Sequence, residues 1–361
     1  SMGYRTYYLV EGEESREGSS DLACDETTIE NEYFKIEVER ESGTIRSLYD
    51  KVAEKTVFKK DRYPNTRPIF NNLLQVLYEL PHGMSAWIIG DIIRTENLIR
   101  GAEVELVEGG PVRAKFKVLH RYRKSKISQC MSLYRGIPRI DFDTIIDWRE
   151  ESDDKTEAPM LKVSFTPILG DCKAAFEIPF GYIERVADGT EVPALRWVDL
   201  SDGEYGLSLL NDSKYGFDVK GNTVRMTLVR TSYSPDPRPD QGINEVRYSL
   251  YPHKGGWKEA LTFRRGYEIN HPLEAFVVSN TSISGGSEPE EDSFVQVEPE
   301  NVVVSCAKLA EDSNDCIVRI YDATGTGSEA ELLFSSVIQE AFEVDMLERN
   351  PEALEPQGNK L

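Results

Sequence analysis

Residues 197–219 read WVDLSDGEYGLSLLNDSKYGFDV and indicate the fold class of the chain. Asp202-Gly203 is a tight-turn pair, because glycine tolerates the positive φ that such turns require. The apolar run at 207–210 follows it, so the stretch predicts two short strands joined by turns. A second reversal leads into an alternating strand at 223–229. The pattern is that of antiparallel β-structure.

The same alternation extends outward along the chain. Val112, Ala114, Phe116 and Val118 are separated by polar or charged residues, and residues 140–148 repeat the pattern. Helical periodicity is almost absent before residue 330. Many strands separated by turn signals predict a large antiparallel sandwich and an all-β fold class.

Composition divides the chain into four predicted segments. The segments are a first strand and acidic loop (1–28), a large β-sandwich domain (29–278), a linker (279–293) and a small C-terminal β domain (294–361). The linker is predicted from its Ser/Gly/Pro/Glu-rich composition.

Charge and cysteine usage limit the classes of partner. The 361 residues carry a net charge of −21, which repels nucleic acid phosphates and anionic membrane surfaces, so neither is expected as a partner. Uncharged or cationic partners are favoured. The five cysteines are odd in number and never form C-x-x-C, which predicts reduced thiols in a cytoplasmic protein.

The familiar catalytic patterns are missing from this sequence. Its four histidines form no H-x-x-x-H or H-x-D pair, so no metal site is predicted, and no G-x-S-x-G, P-loop or G-x-G-x-x-G occurs. Asp141, Asp143 and Asp147 share one face of a predicted strand, where a solvated face is favoured over a catalytic carboxylate pair. We therefore predict no catalytic residue and no cofactor in this chain.

The loop at 230–242, RTSYSPDPRPDQG, is the best candidate for binding. Its prolines stiffen the backbone, so that its charged groups can be presented from a rigid frame, and neighbouring aromatic rings can stack on sugar faces. The alternative is a strand connection with surface ion pairs. The candidate substrate-binding residues are Arg230, Tyr233, Asp236, Asp240 and Trp257.

Several motifs in order resemble the C-terminal β region of glycoside hydrolase family 38 α-mannosidases. The opening stretch is followed by GNTVRMTLVR, PDPRPDQG and YSLYPHKGGW, and residues 29–51 and 176–185 also match. The resemblance covers nearly the whole chain. It implies a large, galactose mutarotase-like super-β-sandwich followed by a smaller β-sandwich unit.

The resemblance also implies what this chain does not contain. In the family, an N-terminal α/β barrel and a helical segment supply the zinc ligands and the aspartate nucleophile. The chain then resembles the non-catalytic β portion of a retaining, zinc-dependent α-mannosidase, with zinc expected in the missing catalytic domain. Its implied partners are that domain and, through the full-length enzyme, mannosides. Arg230 is similar to an arginine that approaches the active site in relatives.

The sequence departs from the family pattern at three places. Ser85 and Asn244 stand where many relatives carry Asp and His, and the chain ends before the last strand expected of the family. The small domain is therefore expected to be truncated, with an exposed edge. Two alternatives remain: a carbohydrate-binding module that uses Arg230, Tyr233 and Trp257, or a structural scaffold that stabilises the barrel and offers a homo-oligomer interface.

Overall fold

The computed structural model describes residues 2–9, 22–61, 67–278 and 289–361. The chain divides into two compact units. The larger lies within 18–178 and 183–272, and the smaller within 1–17, 179–182 and 273–361. The predicted acidic loop falls partly, and the predicted linker mostly, outside the described residues.

Strands dominate the described ranges, and one helix accompanies them. In the first half of the chain the strands are β1 (Met2–Arg5), β2 (Ala23–Cys24), β3 (Thr28–Glu30), β4 (Phe34–Val38), β5 (Ile45–Asp50), β6 (Lys55–Lys59), β7 (Leu73–Glu79), β8 (Ile92–Asn97), β9 (Glu103–Gly109), β10 (Arg113–Tyr122), β11 (Ser125–Tyr134), β12 (Ile140–Trp148), β13 (Ala158–Phe165) and β14 (Lys173–Ile178). The remaining elements are β15 (Gly181–Arg185), β16 (Val192–Pro193), β17 (Trp197–Ser201), β18 (Tyr205–Asn211), β19 (Gly216–Lys220), β20 (Thr223–Arg230), β21 (Gly242–Lys254), α1 (Thr262–Asn270), β22 (Glu291–Glu298), β23 (Val302–Leu309), β24 (Cys316–Asp322), β25 (Glu331–Phe334), β26 (Ala341–Glu343) and β27 (Glu352–Leu354).

The larger unit is built on three antiparallel sheets. They have nine strands (β15-β14-β17-β18-β21-β12-β11-β10-β9), six strands (β16-β19-β20-β13-β7-β8) and five strands (β2-β3-β4-β5-β6). Alternate side chains enter a common core, where Phe165 of the six-stranded sheet lies 6.2 Å, centroid to centroid, from both Phe142 and Tyr248 of the nine-stranded sheet. The prediction of an all-β fold with a large antiparallel sandwich is confirmed.

The opening stretch forms three strands rather than the predicted two. β17 and β18 pair in the nine-stranded sheet through the turn at Asp202-Gly203, where Gly203 has φ +92°. β19 instead pairs with β20 in the six-stranded sheet. Residues 212–215 therefore carry the chain from one sheet to the other, a change of layer that local turn chemistry does not reveal.

The helix α1 is a second departure from the sequence-based prediction. Its nine residues begin after Leu261, which has φ +53°, and its buried face includes Phe263, Gly266 and Ile269. A Cβ at Gly266 would lie 3.0 Å from Cδ1 of Trp197, so the glycine permits close packing on β17. Within the described ranges, no helix has the length and apolarity needed to cross a membrane.

The described residues of the smaller unit form one three-stranded sheet, β1-β22-β25, and two strand pairs, β23-β24 and β26-β27. Residues 291–309 form two strands, β22 and β23, separated at Pro299. Val295, Val302 and Leu332 form its small buried core together with Val303 and Ala323. All five cysteines of the chain are free thiols.

Candidate functional site

The candidate site is organised around an ion pair between Arg230 and Glu79. These residues end β20 and β7, the two strands that flank β13 in the six-stranded sheet. Nη2 of Arg230 lies 2.8 Å from each carboxylate oxygen of Glu79, whose side chain is 2% exposed. Nη2 also donates to the carbonyl oxygen of Ile88. The arginine is therefore fixed in position rather than free to swing in solvent.

Glu79 also holds the loop that connects β7 to β8. One of its oxygens, Oε1, lies 2.6 Å from Nε2 of His82 and accepts a hydrogen bond from the Gly90 amide. A Cβ at Gly90 would lie 2.8 Å from Cδ2 of His82, so only glycine brings the backbone this close without a shift. A single buried carboxylate thus binds both ends of residues 82–90.

Ser85 ties this loop to the proline-rich loop at 230–242. The Ser85 hydroxyl is buried and accepts hydrogen bonds from the amides of Tyr233 (3.2 Å) and Ser234 (3.0 Å). The Tyr233 hydroxyl donates to the carbonyl oxygen of His82. Asp240 Oδ2 accepts from the Arg230 amide at 2.8 Å, which closes the base of the loop. The two loops therefore form one hydrogen-bonded frame.

Replacing Ser85 with alanine is expected to lower the free energy of unfolding by about 1–2 kcal/mol, because two half-buried amides lose their shared acceptor. Ser85→Asp keeps an oxygen at that position and is expected to recover most of the loss. Urea unfolding of the wild type and both variants measures the difference. An equal loss in the two variants would show that side-chain volume matters here and the acceptor does not.

The frame presents an exposed apolar surface, which we call the 84–93 surface. Its members are Met84 (51% exposed), Trp87 (63%) and Ile88 (51%), with Ile92 and Ile93 beside them at 38% and 46%. Large contiguous apolar patches on a protein surface mark interaction sites. Glu79, at the end of the preceding strand, holds this apolar run in place, and no local sequence pattern indicates that link.

The other predicted residues of the proline-rich loop lie in or beside the frame. Tyr233 and Asp240 are half-buried members of it, whereas Asp236 is exposed and caps the amide of Arg238 at 2.9 Å. Asp236 is thus occupied in shaping the turn. The structure brings Arg230, Tyr233 and Asp240 together.

Trp257 does not lie beside the loop at 230–242, although the sequence predicts it as a neighbouring aromatic residue. It is 5% exposed and packs on Trp197, with ring centroids 5.0 Å apart. The proline-rich loop precedes Gly242 at one end of β21, while Trp257 follows Lys254 at the other. A strand of 13 residues spans roughly 40 Å. Trp257 is therefore a core residue at the opposite end of the sheet.

A buried polar cluster elsewhere in the larger unit does not have catalytic geometry. Asp199, Ser208 and His253 are buried together, but Asp199 Oδ2 (2.8 Å) and Ser208 Oγ (3.2 Å) both approach the same nitrogen, Nε2 of His253. A catalytic triad needs the acid and the nucleophile on opposite ring nitrogens. Among the described residues, no cluster of three or more His, Cys, Asp or Glu side chains could hold a metal ion.

Two of the carboxylates of β12 contact side chains of the neighbouring strand β21. Asp141 is 7% exposed and accepts hydrogen bonds from the Ser249 hydroxyl and from Arg139. Asp143 pairs with Arg247 at 2.8 Å on the adjacent β21. The face is therefore partly buried rather than fully solvated, and its acids stabilise strand pairing.

Two protein-family models match this chain. The model "Glycosyl hydrolases family 38 C-terminal domain" matches residues 29–238, and "Glycosyl hydrolases family 38 C-terminal beta sandwich domain" matches residues 301–361. Alpha-mannosidase G of Dictyostelium discoideum is 28% identical over 88% of this chain and 30% of its own length. Alpha-mannosidase 2C1 of Mus musculus is 32% identical over 78% of the chain and 28% of its own length.

The solved structures agree on the fold. An Enterococcus faecalis protein of glycosyl hydrolase family 38 superposes with a TM-score of 0.75 at 16% identity, covering 94% of this chain and 43% of that one. The chain spans less than a third of the length of these two curated mannosidases. Because the family model for the C-terminal domain covers residues 29–238, more than half of the sequence, the chain belongs to glycosyl hydrolase family 38, as its C-terminal β region.

Proposed function

We propose that this chain is the non-catalytic β portion of a retaining, zinc-dependent α-mannosidase that hydrolyses α-D-mannosides. Its role is to support a catalytic domain of the family and to contribute loops to the substrate cleft. The names of the two relatives and the family match support the substrate class. The free cysteines support a reducing, cytoplasmic location.

The observation that carries the proposal is the 84–93 surface, which is held from beneath by the ion pair between buried Glu79 and half-buried Arg230. Trp87 and Ile88 expose more than half of their side chains although the backbone under them is fixed by hydrogen bonds. A preorganised apolar surface lowers the entropy lost on association, which suits docking to another domain. The relatives extend far beyond the region that this chain covers, and a catalytic domain is the partner we assign to this surface.

In this proposal the nucleophile and the zinc belong to the catalytic domain. A retaining mechanism needs a carboxylate nucleophile and a second carboxyl group about 5–5.5 Å away, flanking the glycosidic bond. We assign no such pair to this chain. Arg230, Tyr233 and Asp240 instead position the loop at 230–242, and its tip at Asp236 is the part we propose to reach the cleft.

The test is complementation of a catalytic domain. The chain alone is expected to give no turnover of an aryl α-mannoside. Adding it to the part of mouse alpha-mannosidase 2C1 that it does not cover is expected to raise turnover above that of either piece. Trp87→Ser should weaken the association about tenfold, as expected for an aromatic anchor at the centre of an interface.

Tyr215→Ser is the matched control, because Tyr215 is also a largely exposed aromatic residue (59%) of the larger unit but lies outside the 84–93 surface. It should leave complementation unchanged. Turnover by the chain alone would overturn the non-catalytic assignment. Equal effects of the Trp87 and Tyr215 variants would overturn the docking surface.

A further inference from the structure

A second candidate site lies on the outward face of the six-stranded sheet. A pocket of about 570 Å³ opens there, within the size range of small-molecule sites. Strand register explains its position. Ser164 of β13 lies opposite Leu73 of β7 on one side and Arg225 of β20 on the other. All three point away from the core, since their neighbours Leu74, Val163 and Val224 are buried in it.

The charge of this pocket is opposite to that of the whole chain. Arg67, Lys220 and Arg225 line it, and no Asp or Glu of the described ranges does so. The chain as a whole carries 63 acidic and 42 basic residues. A local group of three cations favours an anionic ligand, because it creates a positive potential at this pocket. The rest of this acidic protein repels anions.

Arg225 is preorganised for such a ligand. Its Nε donates to Oδ1 of Asp218 at 2.7 Å, and Asp218 is itself buried beside Lys162. This bond fixes the guanidinium plane and uses only one of its donors. No described residue accepts a hydrogen bond from Nη1 or Nη2, and these groups have the geometry that suits a phosphate or carboxylate.

A serine side chain adds a hydroxyl group to the same pocket. Ser164 is 4% exposed as a residue and lines the pocket. A hydroxyl can both donate and accept hydrogen bonds, so it can bind a phosphate oxygen or a sugar hydroxyl. Gln75 and Asn97, bonded to each other at 2.8 Å, add further polar groups to the lining.

Apolar side chains complete the lining. Phe70, Ile69 and Leu73 contribute carbon surface beside the polar groups. A sugar ring has both an apolar face and hydroxyl groups, and so can use both types of wall. An inorganic anion alone would leave the carbon surface without a contact.

From these features we infer that the pocket binds a phosphorylated sugar, with the phosphate on Arg225 and Lys220 and the ring near Phe70. The choice of a sugar rests on the proposed function of the chain, whereas the anion site rests on the pocket alone. The binding site belongs to this chain and requires no catalytic domain.

Isothermal titration of the full chain with mannose 6-phosphate, mannose and inorganic phosphate tests the inference. Mannose 6-phosphate is expected to bind more tightly than the other two, and its affinity should fall as salt is added. Lys220→Gln should weaken its binding about tenfold, the order expected for one charge-assisted contact. Lys220 is exposed, so this variant is expected to fold normally.

Lys173→Gln is the matched control, because Lys173 is also an exposed lysine on a strand of the larger unit but lies outside this pocket. It should bind like the wild type. Absence of binding, equal binding of mannose and mannose 6-phosphate, or equal effects of the two lysine variants would overturn the inference. Phosphate that binds as tightly as mannose 6-phosphate would overturn the sugar part and identify free phosphate as the ligand. Each readout uses this chain alone, so a failed complementation experiment leaves the result unaffected.

Discussion

Asp218→Ala is expected to lower the free energy of unfolding by about 3–5 kcal/mol, the range found when one partner of a buried ion pair is removed. Oδ2 of Asp218 lies 2.7 Å from Nζ of Lys162, and its Oδ1 lies 2.7 Å from Nε of Arg225. The side chains of Lys162 and Asp218 are 3% and 2% exposed. Without Asp218, the Lys162 ammonium keeps only Glu191, which is nearer to solvent. The loss comes from burying an under-compensated charge.

Lys162→Met with Asp218→Leu provides the control, because the double variant removes both fully buried charges and keeps their volume. It is expected to be closer to the wild type in stability than Asp218→Ala, since replacing a buried pair with apolar groups is often neutral. Urea unfolding of the larger unit, at unchanged m-value, gives the comparison. A single variant within about 1 kcal/mol of the wild type would contradict the assignment of this network as buried and coupled.

Strand alternation was the most informative signal in the sequence, because burial of one sheet face imposes a period of two residues. β10 and β12 follow the predicted pattern, with Phe116 and Phe142 buried and Lys117 exposed between core positions. The pattern specifies which face of a strand is inward, and it does not specify which sheet the strand joins. For this reason the sequence pattern does not separate β19 from its neighbours, although β19 belongs to the other sheet.

The sequence does not predict the helix α1, because its local composition disfavours helix formation. Residues 262–270, TFRRGYEIN, place a glycine in the interior, where it costs about 1 kcal/mol relative to alanine. Close packing of Gly266 on Trp197 compensates for that loss in the folded chain. Such a contact depends on the tertiary structure and has no counterpart in a local pattern.

Only part of the candidate site can be predicted from the sequence, for the same reason. The prolines and charges of the loop at 230–242 are local features, and they indicate a binding loop. Its counterpart Glu79 ends an apolar strand, and 151 positions separate it from Arg230. Trp257 is close to the loop in sequence, but the long strand β21 separates the two in space. Pairing across the sheet, rather than distance along the chain, decides which residues meet.

Lowering the pH from 7 to 4 is expected to destabilise the larger unit by about 3 kcal/mol through His120 alone. His120 is 5% exposed on β10, and burial lowers its pKa from 6.5 to about 4. Between these two values the unfolded chain binds a proton that the folded chain does not. The contribution of His120 to stability is therefore complete above pH 6.5 and is lost progressively as the pH falls through the folded pKa near 4.

The measurement compares the slope of unfolding free energy against pH in the wild type and in His120→Leu. The variant cannot bind the proton, so its slope between pH 6.5 and 4 should be smaller by the His120 contribution, whatever its absolute stability. Carboxylates titrate in both proteins and cancel in the difference. His271→Gln is the control, because it removes an exposed imidazole from the same unit and leaves His120 in place. Parallel slopes for the wild type and His120→Leu would mean that the buried imidazole is protonated as readily in the folded chain as in the unfolded one.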